Sequence, residues 1–163
     1  MLDVLTTIFI LFNNILGEWE LNNMSKNKRA LFTSNNQVYE TPDYLFKELS
    51  DVFRFKLDVC ASNENAKCQM YFTDNNQKYW LEKACIEYIE NGHVTVCLIP
   101  ARTDTKLWQD FIFKEALYVC FIKGRLKFKG CKHTAPFASA LVIFAKKLTD
   151  KQLKCLYKLG KVI

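Results

Sequence analysis

A nearly continuous apolar run over residues 93–99 follows an amphipathic segment that ends at Asn91-Gly92. A helix that ends at a glycine and leads into such a run is typical of parallel sheets, because helices on both faces bury both sides of each strand. The segment therefore predicts an α/β fold in which helices alternate with parallel strands.

The same alternation continues along the chain. Thr41-Pro42-Asp43 predicts the start of a helix, with Thr41 as its N-cap and Tyr44 on the apolar face that runs to Phe53. Further helices are predicted over 79–90, 104–116 (capped by Asp104) and 149–159, and strands over 55–61, 93–99, 117–122 and 137–144. Since repeats and Pro/Gly-rich linkers are missing, these elements predict one layered α/β domain.

The composition and charge fit a globular protein with a basic surface. Half of the 163 residues are hydrophobic and a quarter are charged, which excludes disorder. Residues 24–163 hold all 23 Lys and Arg and 14 of the 17 Asp and Glu, so this part carries a net charge of +9. Such a charge favours a polyanionic partner, although a solvated lysine-rich face gives the same value.

Residues 1–23 differ from the rest of the chain. They contain an apolar run over 5–12 and no basic residue, whereas Met24 begins a polar, basic stretch. The positive start and cleavage site of a signal peptide are missing, and the run is too short to cross a bilayer. The codons for Trp19-Glu20 contain TGGGA, which resembles a bacterial ribosome-binding sequence. We therefore expect translation to begin at Met24, with residues 1–23 as a non-native upstream extension and 24–163 as the domain.

The seven cysteines lie mostly in apolar runs and form no paired C-x-x-C hooks for zinc. They are predicted to be reduced core thiols, which indicates a cytoplasmic protein. A metal site that uses Cys131 with His133, or Cys60 with Cys68, is the alternative.

An apolar strand pattern runs into a turn of small and polar residues over 57–68. Asp58 lies near the carboxyl end of this strand, where open α/β sheets hold their ligands, and its carboxylate can grip a ribose hydroxyl or an ammonium group. An ordinary loop exit, in which Asx residues cap their own backbone, fits the same spacing.

Two further segments place basic and hydroxyl side chains where a nucleic-acid backbone can bind. The predicted contacts are Arg102, Thr103, Lys106, Arg125 and Lys127. The first three follow the buried strand over 93–99, and the last two alternate with apolar residues over 124–129, as in a strand whose outer face meets phosphates. A helix cap beside a solvated arginine, and a plain exposed edge strand, are the alternatives.

Several segments are more specific together than any one is alone. They include Tyr39-Glu40-Thr41-Pro42 and Leu57-Asp58-Val59-Cys60-Ala61, with the stretches over 31–34, 64–68, 100–105, 124–128 and 136–140. In this order they resemble the phage-type, Dam-like DNA N6-adenine methyltransferases, over nearly all of the chain after Met24.

The resemblance implies a Rossmann-like fold that binds S-adenosylmethionine and acts on adenine in double-stranded DNA. It also implies a set of cofactor-binding residues, which are Thr41, Pro42, Asp58, Cys60, Ala61 and Asn65.

One part of the family pattern is missing. The family carries an Asn- or Asp-Pro-Pro-Tyr-like box before a helix that the region of Trp80 resembles, but the only prolines here are Pro42, Pro100 and Pro136. That box holds the flipped adenine and accepts its amino hydrogens, so its loss removes orientation and transition-state stabilisation together. We therefore assign no catalytic residue.

The missing box also bears on the fold. We expect a fold reduced by the loss of a strand-bearing segment, with a gap or an unpaired edge beside the strand that ends at Ala61. The alternative function is an inactive DNA- or cofactor-binding remnant of prophage origin.

Overall fold

A computed structural model of the protein describes residues 7–11, 40–59, 61–73 and 77–163. The strands are β1 (Thr7–Leu11), β2 (Phe55–Val59), β3 (Met70–Tyr71), β4 (Thr95–Pro100), β5 (Tyr118–Ile122), β6 (Ser139–Phe144) and β7 (Gly160–Val162). The helices are α1 (Asp43–Phe53), α2 (Gln77–Asn91), a π-helix (Leu107–Ile112) that continues into the one-turn α3 (Phe113–Glu115), and α4 (Asp150–Leu159). The predicted α/β class is confirmed. In this part of the chain, no helix is both long and apolar enough to cross a membrane.

The strands form one sheet in the order β3-β2-β1-β4-β6-β5-β7. The first four of these are parallel, β6 is antiparallel to β4 and to β5, and β7 is antiparallel to β5. Strands β1 to β5 therefore all end at the same edge of the sheet, which we call the carboxyl edge. Open α/β sheets bind their ligands at this edge.

β1 lies between β2 and β4 and pairs with both. β2 thus has a neighbour on each side, β1 and β3, and the position where a gap was expected is filled. β1 belongs to the segment that we expect to precede the translation start. Where translation starts stays a prediction.

The residues of β4 alternate between two apolar cores. Val96 and Leu98 contribute to a core that also contains residues of α1 and α4. Cys97 and Ile99 contribute to a core on the other face, with residues of α2 and the π-helix. All of β4 is buried, which confirms the prediction of a strand that helices cover on both faces.

Helix α1 begins one residue later than predicted. Pro42 occupies the N-cap position with an extended ψ of 132°, and its carbonyl oxygen accepts the N–H groups of Leu45 and Phe46, so Thr41 lies outside the helix and does not cap it. The buried stripe is Leu45, Leu49 and Phe53, spaced by four residues. Tyr44, which was predicted on the apolar face, is 59% exposed because it lies one position before this stripe.

The helix predicted over 104–116 is shorter than predicted, and most of it is a π-helix, which is wider than an α-helix. The carbonyl of Thr105 accepts the N–H groups of Trp108 and Gln109, and the chain then forms the π-helix. Asp104 lies in the preceding turn, and no side chain of the described residues caps the π-helix, so the predicted capping role of Asp104 is wrong. The buried indole N–H of Trp108 donates to the carbonyl of Pro100 over 3.2 Å and holds the helix against the end of β4.

The segment over 124–129 alternates as predicted but is not a strand. Leu126 and Phe128 are buried, whereas Arg125 and Lys127 are exposed. Gly124, with φ of +80°, turns the chain away after β5, and the segment makes only an isolated bridge between Lys129 and Glu40.

The cysteines behave as core residues. Cys85, Cys97, Cys120 and Cys155 are buried free thiols, and Cys68 and Cys131 are half-buried free thiols. The predicted core position is confirmed for the four buried cysteines, whereas Cys68 and Cys131 pack against the edge of the core. Their reduced state stays a prediction. Cys60 lies outside the described residues.

Candidate functional site

Asp58 is the buried acid at the centre of the candidate site. It is the second-to-last residue of β2 and is 2% exposed. Its Oδ2 accepts the backbone N–H of Lys67 over 2.8 Å, while Oδ1 has no hydrogen-bond partner among the described residues. Burial raises the pKa of Asp58 to about 6, and the backbone N–H and the charge of Lys67 oppose that rise.

The turn after β2 is held by its own backbone and by Asn65. The N–H of Ser62 donates to Asn65 Oδ1 over 2.7 Å, and the carbonyl of Ser62 accepts the N–H groups of Asn65 and Ala66. The N–H of Ala61 donates to the carbonyl of Phe72, which fixes the turn to the end of β3. Asn65 therefore caps its own backbone, as the loop-exit interpretation predicts, whereas Asp58 keeps one oxygen for another group.

Lys67 connects this turn to the start of α1. Its backbone N–H binds Asp58, and its ammonium group forms an ion pair with the Asp43 carboxylate. The Lys129 ammonium lies 3.2 Å from the other Asp43 oxygen. Hydrogen bonds from both lysines lower the pKa of Asp43. The two motifs over 41–43 and 57–68, which are distant in sequence, therefore meet at the carboxyl edge.

Thr41 and Pro42 are buried directly before Asp43. The hydroxyl of Thr41 is fully buried and has no hydrogen-bond partner among the described residues. A buried hydroxyl without a partner is costly, by about 1–3 kcal/mol, so such a group points to an absent ligand or water.

The loop after β4 lies at the same edge, on the other side of β1. The N–H of Ala101 donates to the carbonyl of Ala138, and the Thr105 hydroxyl donates to the carbonyl of Arg102. The side chain of Gln109 donates to the carbonyl of Thr103 over 2.6 Å. These bonds hold Arg102 and Thr103 half-buried, and Lys106 follows as an exposed residue.

Arg125 and Lys127 lie near the start of α1. Their segment is fixed by the N–H of Lys129, which donates to the carbonyl of Glu40 over 2.9 Å, and by the buried side chains between them. Both basic side chains are exposed. Both basic segments thus follow strands that end at the carboxyl edge, β5 and β4. The Asp58 carboxylate, the Thr41 hydroxyl and the turn over 61–67 at this edge are called the Asp58 pocket.

Aromatic rings follow β3 at the carboxyl edge. The Phe72 ring stacks on the Trp80 ring with centroids 5.5 Å apart, and Tyr79 meets Trp80 edge-on at 5.1 Å. Phe72 and Tyr79 are 51% and 42% exposed. Exposed rings beside a polar pocket can stack on a planar base.

Sequence reasoning missed three polar residues of this edge: Asp43 as a partner of Lys67, Lys67 itself, and Ser139. The hydroxyl of Ser139 is buried at the start of β6, opposite Pro100, without a hydrogen-bond partner among the described residues. The signal for Lys67 was its place in the motif over 64–68. Nothing in the sequence marks the other two as partners.

A groove of about 640 Å³ lies elsewhere, between α1 and α4. It is lined by Tyr44, Lys47, Glu48, Asp51, Val52, Lys151, Lys154, Cys155 and Lys158. Lys158 and Glu48 form an ion pair of 2.6 Å across it. None of the predicted site residues lines this groove. Over the described residues, no cluster of three or more His, Cys, Asp or Glu can hold a metal ion.

Residues 28–78 match the family model of DNA N-6-adenine-methyltransferase (Dam). The match spans 51 of 163 residues and confirms the predicted resemblance over the part that contains the Thr41-Pro42 motif and the Asp58 turn. It does not reach the loop after β4 or the segment over 124–129. No curated protein and no solved structure matches the chain.

Proposed function

We propose that this protein, which is similar to the DNA N6-adenine methyltransferases, binds S-adenosylmethionine at the carboxyl edge of its sheet and transfers its methyl group to adenine in double-stranded DNA bound beside it. The observation that carries the proposal is the buried Asp58 carboxylate with one unpartnered oxygen, inside the range that matches the family model. A sheet with four parallel strands and buried polar groups at its carboxyl edge suits a Rossmann-like methyltransferase fold, which we propose is reduced by the missing strand-bearing segment.

The residues at this edge fit the cofactor chemically. S-adenosylmethionine offers ribose hydroxyl and ammonium donors, and Asp58 Oδ1 is an acceptor that lacks a donor. The buried Thr41 hydroxyl can serve a second polar group of the same ligand. When bound, the cofactor supplies an electrophilic methyl group on a sulfonium. Asp58, Ala61 and Thr41 would bind and orient it, while Asn65 holds the turn. The proposed role of Cys60 follows from its place in the same motif.

The exposed cations support the DNA part of the proposal. Arg125 and Lys127 follow β5 as exposed residues, and Lys106 is exposed beyond β4. Arg102 and Thr103 are half-buried in the loop after β4 at the same edge. Phosphate contacts of this kind give affinity that falls with salt. The exposed Phe72 ring offers a stacking surface for a base drawn toward the pocket. With a DNA substrate and reduced thiols, the proposed location is the cytoplasm of a bacterial host.

A second candidate function is binding of the cofactor and DNA without methyl transfer. The observation that favours it is the set of three separate prolines, because the family's Pro-Pro-Tyr box fixes the backbone that orients the adenine amino group. Without that box, the chain retains a pocket for the methyl donor and lacks the groups that prepare the acceptor.

One set of measurements separates these functions. Calorimetry measures S-adenosylmethionine binding, a labelled methyl group measures transfer to unmethylated DNA, and fluorescence anisotropy measures DNA affinity against salt. Transfer supports the first function, and binding without transfer supports the second. Absence of both binding events refutes the two together.

Matched variants locate the DNA surface. Replacing Arg125 and Lys127 by Gln is expected to reduce the slope of log K against log[salt] by about 2 if both contact phosphates. Replacing Lys151 and Lys154 by Gln removes the same charge from the groove between α1 and α4 and is expected to leave that slope nearly unchanged. Equal effects would show that only net charge matters.

A further inference from the structure

The sheet contains a position that only one short segment fills. β2 and β4 do not pair with each other, because β1 lies between them with four paired residues on each side. In the part of the chain that the structure describes, β1 is the only strand that connects the pair β3-β2 to the four strands β4-β6-β5-β7. We call the space between β2 and β4 the strand slot.

The walls of the strand slot are deeply buried. Val59 on one side is 1% exposed, and Val96 and Cys97 on the other side are 0% exposed. Backbone N–H and C=O groups in such positions need partners, because burying them unpaired loses their bonds to water without replacement. The slot therefore has the chemistry of a binding site for a parallel, extended peptide.

The occupant is separate from the rest of the fold in sequence. Residues 12–54 lie between β1 and β2, and β1 itself reads Thr-Ile-Phe-Ile-Leu, a composition of β-branched, aromatic and aliphatic residues that suits a central strand. Such a segment can dock as a unit, as an added strand does when it enters a sheet from outside.

We propose that the strand slot is an acceptor site for a β-strand and that its ligand is the segment Thr7–Leu11 of the same chain. Phe9 pairs with Asp58 on one side and with Val96 on the other, so the segment sets the position of the Asp58 pocket relative to the loop after β4. A product that begins at Met24 lacks this ligand and has an open slot. This inference does not depend on cofactor or DNA binding.

Hydrogen exchange on the unaltered full chain tests the proposal first. We expect slow exchange of the amides in β1, β2 and β4 together, as one protected unit. Fast exchange over 7–11 while β2 and β4 stay protected overturns the proposal, because the slot is then closed in another way.

A pair of full-chain variants then tests the strand directly. Phe9→Pro removes a backbone N–H from the centre of β1, whereas Phe9→Val keeps every backbone bond and a strand-forming residue. We expect Phe9→Pro to lose protection in β2 and β4 and to lower the midpoint of thermal unfolding, and Phe9→Val to retain protection. Equal behaviour of the two variants overturns the role of β1.

Rescue in trans tests whether the slot accepts a separate ligand. A synthetic peptide of residues 4–14, with added terminal lysines for solubility, is titrated into the full-chain Phe9→Pro variant, and the same peptide with Phe9→Pro is the control. Saturable recovery of protection in β2 and β4 by the first peptide alone supports the acceptor site. No recovery, or recovery with both peptides, overturns it. If protection of β2 and β4 instead rises with protein concentration when no peptide is added, the strand that fills the slot comes from a second copy of the chain. The assignment of the ligand to the same chain is then wrong.

Discussion

Replacing Asp58 by Asn is expected to stabilise the protein at neutral pH and to weaken its binding of S-adenosylmethionine. Asp58 is almost completely buried, and that burial raises the pKa of its carboxyl from the ordinary 3.8 to about 6. A buried carboxyl with a raised pKa is typical of a residue that binds a ligand at the expense of stability, because its charged form is kept from water and has no compensating partner until the ligand binds.

The size of the effect follows from the pKa. A carboxyl whose pKa is raised in the folded state contributes stability that is fully present below the unfolded pKa near 3.8 and is lost as the pH rises through about 6. At about 1.4 kcal/mol per pKa unit, the difference amounts to roughly 3 kcal/mol, as an order of magnitude. Asn carries no charge, and its amide oxygen can still accept the N–H of Lys67. We therefore expect a gain of about 1–3 kcal/mol at pH 7.5 and little change at pH 4.

Urea unfolding between pH 4 and 7.5 measures this difference, and calorimetry measures the cofactor affinity. Wild-type affinity is expected to rise as the pH rises through about 6, because the ligand donors meet the ionised carboxylate. The Asn variant is expected to bind at least about tenfold more weakly, with no such rise, since a hydrogen bond to a charged group contributes about 1.5–3 kcal/mol. Asp51→Asn, on the exposed side of α1, is the control. A variant that is less stable than wild type at pH 7.5, or that binds equally well, refutes the reasoning.

Three further predictions concern the fold. Gly160→Ala is expected to lower the free energy of unfolding in urea by about 3 kcal/mol, because the added Cβ would collide with the carbonyl of Phe121. Gly130→Ala, which has open space but a φ of +79°, should lower it by only about 1 kcal/mol, and equal losses would contradict the clash. Thr149→Ala breaks the capping box of α4 and should lower stability in thermal unfolding by about 1 kcal/mol. Replacing the exposed Thr134 by Ala should leave the stability nearly unchanged, and equal stability of the two variants would show that the cap is dispensable. Cys97 and Cys120 should react with a thiol reagent at pH 8 only after unfolding, since both are buried and burial raises the pKa of Cys120 to about 11. Mass spectrometry locates the labelled cysteines, and labelling of either one in the native protein would contradict their burial.

The long periodic elements could be predicted from the sequence, and the short ones could not. β4 and α4 carry their own signals, an unbroken apolar run and a Thr149 cap, and both lie where those signals place them. β3 and β7 have two and three residues, which is too short for a period. β1 has a clear apolar pattern, but its partners lie more than forty residues away, so pattern alone does not identify its neighbours.

In the candidate site too, some residues could be predicted from the sequence, and other contacts could not. Asp58 and Arg102 could be placed at one edge from the sequence, because Asp58 lies near the end of a recognisable strand, Arg102 follows another, and the carboxyl ends of parallel strands share one edge. The ion pair between Lys67 and Asp43 joins residues 24 positions apart and exists only after α1 packs beside the turn. The N-cap of α1 shows a local limit: Thr41 and Pro42 are both good residues for a helix start, and only the extended backbone of Pro42 decides which one occupies the cap.

The pocket and the strand slot depend on one another. The strand β2, which contains the buried Asp58, lies between β1 and β3, and the turn whose N–H binds the Asp58 carboxylate is joined to α1 by the Asp43–Lys67 pair. Because burial raises the pKa of Asp58, we expect that rise to depend on the closed sheet as well as on the motif over 57–68. If β1 leaves the slot and water reaches β2, we expect the pKa of Asp58 to fall toward 3.8 and the pH dependence of ligand binding to move from about pH 6 to lower pH with it. Titration of Asp58 by NMR in Phe9→Pro and Phe9→Val thus connects the two sites: the pKa should fall in the first variant only, and a pKa that stays near 6 in both would show that the pocket is closed without β1.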